Sequence, residues 1–98
     1  MTLKILPSAV DDLQRGVEFY DEQGAGLGQY FQDCLCSDID SLGIYAGIHP
    51  EVLGYFRLLS KRFPYAIYYR MPDSDTTVVW RVLDLRARPG VVAKELEP

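Results

Sequence analysis

The 98-residue sequence is poor in the side chains that small hydrolytic enzymes depend on: it has one histidine, His49, and two cysteines, Cys34 and Cys36. A single imidazole excludes a histidine-pair nuclease, and it excludes serine and cysteine triads for the same reason. The cysteines stand two apart in a segment read as helix, where their side chains diverge, so no disulfide is expected between them. With one histidine they cannot assemble a four-ligand zinc set, and neither a metal nor a cofactor is expected. Long apolar runs are missing too. Nothing approaches the roughly 18 residues of a membrane span, and the apolar patch before Pro7 is too short for a secretory leader. The expectation is a cytoplasmic protein without a membrane partner.

What is present is ordinary globular composition, 48% hydrophobic and 24% charged, in a length that suits one domain over residues 1–98. The net charge of −4 conceals an asymmetry. Residues 1–56 carry Lys4 and Arg15 against nine acids, whereas residues 57–88 carry seven bases against Asp73, Asp75 and Asp84. A basic second half of this kind is what an electrostatic footprint on one part of a small domain looks like.

Thr2 to Leu6 reads as a first strand closed by Pro7, with Ser8 as N-cap of a helix and Asp11 as the return half of a capping box. Val10, Leu13, Val17 and Tyr20 then recur at helical spacing, with Asp11, Arg15, Glu18 and Glu22 opposite and Gly16 beside the apolar stripe, open to close approach. Gly24 to Gly28 breaks this pattern. The stripe resumes as Leu27, Phe31, Leu35, Ile39 and Leu42, with Gln29, Asp33, Ser37 and Asp40 facing outward, which predicts a helical hairpin. Tyr55–Ser60, Tyr65–Met71 and Thr76–Asp84 are rich in aromatic and β-branched residues and are separated by Pro64 and by Pro72-Asp73-Ser74-Asp75, so they predict a three-stranded meander. Residues 43–54 show no period and read as a connecting loop; Pro89 opens a short frayed helix. The fold class is α+β, with both helices on one face of an antiparallel sheet.

Phe63, Tyr65, Ile67 and Tyr69 alternate at period two, which turns them inward and leaves Pro64 at the strand entrance. Lys61 and Arg62 are thereby held at the rim of the sheet, available to phosphates or to an acidic partner. Metal-assisted phosphodiester cleavage would need clustered carboxylates, yet the acids fall mostly on outward helical faces.

The run Arg57-Leu58-Leu59-Ser60-Lys61-Arg62-Phe63-Pro64-Tyr65-Ala66-Ile67-Tyr68-Tyr69-Arg70 resembles the middle strands of RelE/ParE toxins of type II toxin–antitoxin, or plasmid-stabilisation, systems. Gly26-Leu27-Gly28 with Phe31 and Leu35 looks like the second helix of that family, and Val82-Leu83 leading to Arg86 like its last strand. The resemblance implies a β-α-α-β-β-β toxin domain with an antitoxin encoded next door as partner, monomeric or weakly dimeric when alone. It also implies a cationic site drawn from Arg57, Lys61, Arg62, Arg81, Arg86 and Arg88. For a ParE-like toxin these bases would engage a protein target, DNA gyrase in the family's known cases. For a RelE-like ribosome-dependent mRNA endonuclease, Lys61, Arg62 and Arg86 would clamp phosphate and move protons. A third implied role is a toxin fold whose activity is lost and which is kept as a binding module. Arg81, between Trp80 and Val82, also reads as a paired or snorkelling residue. The chain departs from the ParE-like pattern after the last strand: Asp84-Leu85-Arg86-Ala87-Arg88-Pro89 stands where His-Gly-Arg-Arg-Asp-Pro is common. Residues 90–98 lack the aromatic or histidine that RelE-type nucleases keep there.

Overall fold

Two greasy helices and a β-rich second half must cover one another, and the computed structural model, which describes residues 1–97, shows how. Its elements run β1 (Thr2–Ile5), α1 (Pro7–Gln23), α2 (Leu27–Asp40), a single turn α3 (Leu42–Tyr45), β2 (Glu51–Val52), β3 (Tyr55–Leu59), β4 (Tyr65–Asp73), β5 (Thr76–Asp84) and α4 (Pro89–Glu95). The strands form one sheet in the order β1-β5-β4-β3-β2. The meander β2 to β5 is antiparallel, as its turns require, but β1 joins the edge of β5 in parallel, so the sheet is mixed. Nothing local dictates the direction of β1, because the whole helical hairpin separates it from its partner strand. Among the described residues no helix is long and apolar enough to cross a membrane.

Helix α1 starts two residues earlier than the capping motif implies. Pro7 takes the first turn, which suits its fixed φ and absent N–H, and Leu6 is the N-cap with no side-chain bond. Ser8 instead donates from Oγ to the Trp80 carbonyl at 2.9 Å and ties the helix start to β5. The buried face is rotated relative to the apolar stripe: Ala9, Asp12 and Gly16 lie inside, while Val10 is 51% exposed. Leu27 is likewise exposed at the start of α2. Phe31 occupies the space left by Gly16, where a Cβ would overlap its ring. At Gly28 a Cβ would sit 2.6 Å from the Val17 carbonyl oxygen, so the backbones of the two helices approach closely there. The Gly28 amide donates to Asp21 Oδ1 at 2.9 Å, which closes one of the open donors at the start of α2.

The hairpin covers one face of the sheet. Ala9, Phe31, Leu35, Ile39 and Leu42 pack against Tyr65, Ile67, Tyr69, Val79 and Val82, with Phe63 partly buried at the margin. The inward turn of Phe63, Tyr65, Ile67 and Tyr69 is thus observed. The other face carries a smaller cluster of Tyr55, Ala66, Tyr68 and Leu83, with Trp80 and Val92 against it, closed by Leu96. Helix α4 is therefore docked: Leu96 is 4% exposed, and its carbonyl accepts the Tyr55 hydroxyl at 2.7 Å.

Residues 43–54 hold more structure than an aperiodic loop. After α3, the Tyr69 hydroxyl accepts the Gly47 amide at 2.9 Å and lies 2.5 Å from His49 Nδ1. Leu53 (φ 55) and Gly54 (φ 85) then make the tight turn between β2 and β3, since a two-residue hairpin asks for positive φ at both central positions.

Candidate functional site

The turn between β3 and β4 and the segment after β5 emerge at the same end of the sheet, where the Leu85 amide donates to the Pro64 carbonyl at 2.8 Å. Aromatic rings floor this end. Phe19 meets Tyr20 edge-on at 5.1 Å between centroids, Tyr20 meets Phe63 at 4.8 Å, and Phe63 meets Tyr30 at 5.6 Å. The strip is open at both extremities, with Phe19 42% and Tyr30 45% exposed.

Cations flank it. Beyond Tyr30, Lys61 and Arg62 line a shallow cleft of about 450 Å³ together with Asp33, Cys34, Ser37 and Asp38 of α2. The turn that carries them is anchored from below, because Ser60 Oγ donates to Oδ2 of the buried Asp38 at 2.7 Å. Lys61 and Arg62 are exposed and make no ion pair among the described residues. At the other extremity the Arg86 guanidinium lies over the Phe19 ring, 5.4 Å from its centroid, and Arg86 Nη2 reaches the Tyr20 hydroxyl at 3.5 Å.

Arg86 is not a free cation. Asp84 accepts from its Nε at 3.0 Å, from its Nη2 at 2.7 Å and from its backbone amide at 2.8 Å. Partial burial of Asp84 would by itself raise its carboxyl pKa, but these bonds from Arg86 outweigh it and hold the group below the ordinary value. Tyr65 lies behind the pair; its burial, with the Asp84 charge adding to it, pushes the phenol up to about 12. The neighbourhood thus keeps Tyr65 protonated and Asp84 ionised at neutral pH. A side chain whose pKa is brought near 7, as proton transfer at neutral pH favours, is not what these shifts produce.

The six bases expected to form the site are only partly brought together. Lys61, Arg62 and Arg86 share the end just described, and Arg88 lies exposed as the N-cap of α4. Arg57 points to the opposite face of the sheet, paired across strands with Tyr68. Arg81 is committed inward, to Asp12 through Nε at 2.7 Å and Nη2 at 2.8 Å and to Glu95 Oε2 through Nη1 at 2.7 Å. Asp12 also accepts from Arg15 and from the Val82 amide, the latter at 2.9 Å, so one buried carboxylate closes the open edge of β5 beyond the end of β1. Asp12 escapes a pattern search because Asp11 beside it is an ordinary surface acid. The one clue to it is Arg81, a charge in mid-strand that needs a partner.

His49 is engaged with Tyr69, and desolvation lowers its pKa. The other residues legible only in three dimensions are Phe19 and Tyr30. Each lies on the margin of its helix stripe, where periodicity cannot separate core from interface.

A helical hairpin on a four-stranded meander, with a parallel first strand at the edge and a short last helix behind, defines a RelE/ParE-like fold. A chain of the chromosomal ParDE TA system from P. aeruginosa is similar to it, with a TM-score of 0.76 at 20% identity over 87% of this chain and 96% of that one. At that identity the likeness establishes the shared fold. No family model matches the sequence, and no curated protein matches it.

Proposed function

We propose that this protein is the toxin of a type II toxin–antitoxin pair and that it acts in the ParE-like manner, by holding a protein target rather than by cutting RNA. The similar ParDE chain supports the first part, as the fold is one that such a system uses. The second rests on a single observation: at the shared end of the sheet an aromatic strip lies between cations, and Asp84 neutralises the best placed of them, Arg86. Exposed aromatic rings beside arginine are what the energetic centres of protein interfaces are made of. A phosphate clamp would instead want Arg86 unpaired and a proton-transfer group next to it. Lys61 and Arg62 remain available as rim charges that steer and orient an acidic partner surface. The antitoxin expected from an adjacent gene would cover apolar and basic surface, and the cell's DNA gyrase is the target class that the resemblance implies.

Two assays run side by side test this reading. In the first, gyrase supercoils relaxed plasmid in the presence of the purified protein. In the second, a reconstituted translation reaction is followed for truncated message. Inhibition of supercoiling with intact message is the expected result. Message cleavage that disappears in the Arg62→Ala and Arg86→Ala variants would establish the RelE-like alternative instead. Silence in both, with no growth defect on induction, would leave a binding module without toxicity.

A further inference from the structure

The face of the sheet turned away from the helical hairpin is only half covered by α4, and its uncovered half is cationic. Arg57, Arg70 and Lys4 all project from it. Arg57 pairs across strands with Tyr68 of the outer cluster, Arg70 lies over the Tyr55 and Trp80 rings, and Lys4 shares a register position with Val78, the partner of Arg70. The Arg70 guanidinium sits 4.0 Å from the Tyr55 centroid and 5.1 Å from that of Trp80, so its plane is held in place by stacking. Among the described residues its one hydrogen bond runs from Nε to the Gly54 carbonyl at 3.3 Å, which leaves both terminal amino groups to give. Arg57, its diagonal neighbour across the β3–β4 pair, has a buried Nε with no partner among the described residues. Beside Arg70 a cleft of about 380 Å³ opens between Trp80, Val78, Phe56 and Pro72, with Glu51 the one acid in its lining.

We propose that this half-face, centred on Arg70, is a docking site for an acidic linear segment of a partner protein, with an apolar residue seated in the cleft and carboxylates on Arg70 and Arg57. The chain's own last residues illustrate the fit. In the stretch Lys94-Glu95-Leu96-Glu97, Leu96 fills the slot among Tyr55, Ala66, Tyr68 and Leu83, while Glu95 pairs with Arg81. An acidic and apolar sequence therefore already occupies the adjoining half of the same face. A planar guanidinium fixed by stacking and free at both amino groups suits a carboxylate, which it can bind with two parallel hydrogen bonds. Single-stranded nucleic acid is the less fitting occupant. Its bases need open aromatic faces, whereas Tyr55 is 2% exposed with Arg70 over its ring. The site stands apart from the aromatic end and does not depend on the toxin reading.

The test is a fluorescence-anisotropy titration of the full chain with a short labelled peptide of alternating glutamate and leucine. Matched titrations use a lysine–leucine peptide and an oligouridylate of similar length. Saturable binding of the acidic peptide alone is expected, weakening with salt and falling by roughly tenfold or more in Arg70→Ala, as loss of a charged hydrogen-bonding group implies. Arg70→Lys should recover little of it, because the ammonium keeps the charge but loses the planar fork. Circular dichroism melts run on each variant, and Arg57→Gln serves as the second reporter should Arg70→Ala unfold. Equal binding by wild type and folded variants overturns the proposal, as do tighter binding of the lysine peptide or the oligouridylate and absence of binding to the acidic peptide.

Discussion

At the scale of single residues, Asp12 carries the most. It is 4% exposed yet ionic, and it gathers Arg81, Arg15 and the Val82 amide at the seam between α1 and β5. Removing its carboxylate leaves the buried Val82 amide without its acceptor and the mostly buried Arg81 with Glu95 as its remaining counter-charge, and that costs more than the intact pair ever contributed. Asp12→Ala should therefore destabilise the domain by about 3–5 kcal/mol, seen as a lower urea midpoint, whereas Asp11→Ala next to it should change little. Equal effects of the two substitutions would show that the seam is not organised by Asp12. The neighbouring acids were legible as surface; Asp12 was not, because its partner lies 69 positions away on another element. Arg81 was legible as a residue in need of a partner, though not of which one.

At the scale of elements, local chemistry announced most of what formed. The glycine break, the two helical stripes and the three aromatic strands all appear, and the contact that Gly16 permits is made by the Phe31 ring. Features decided by tertiary partners are the ones local chemistry does not announce. Ser8 turns from a cap into a tether because the Trp80 carbonyl is within reach, and β1 takes a parallel place on the edge of β5, a partner far along the chain. Helix α4 is the clearest case. Seven residues opened by a proline form a weak helix in isolation, but Leu96 and Val92 find an apolar slot on the far face of the sheet. Leu96→Ala should then lower stability by about 2–4 kcal/mol and raise amide exchange throughout α4, in keeping with truncation of a buried leucine. If α4 were merely frayed, the substitution would leave both unchanged.

At the scale of the whole molecule, the division of charge in the chain becomes a division of surface. The acidic first half forms the hairpin, and the basic second half places Lys61, Arg62 and Arg86 at one end of the sheet and Arg57 and Arg70 on its far face. The cationic margin that Lys61 and Arg62 announced does exist. Its aromatic floor was hidden, because Phe19 and Tyr30 sit where a stripe could equally continue into the core.

If, as proposed, this end with its rings and flanking charges grips a protein target, toxicity depends on it. Growth after induction in a bacterial host tests it most directly, for the native chain and for a Tyr30→Ala, Arg62→Glu double variant shown by its melt to be folded. Arrest by the native chain and near-normal growth with the variant are expected, since a lost aromatic anchor and a reversed rim charge together remove much of an interface's energy. Arrest of equal depth by both chains would contradict the proposal.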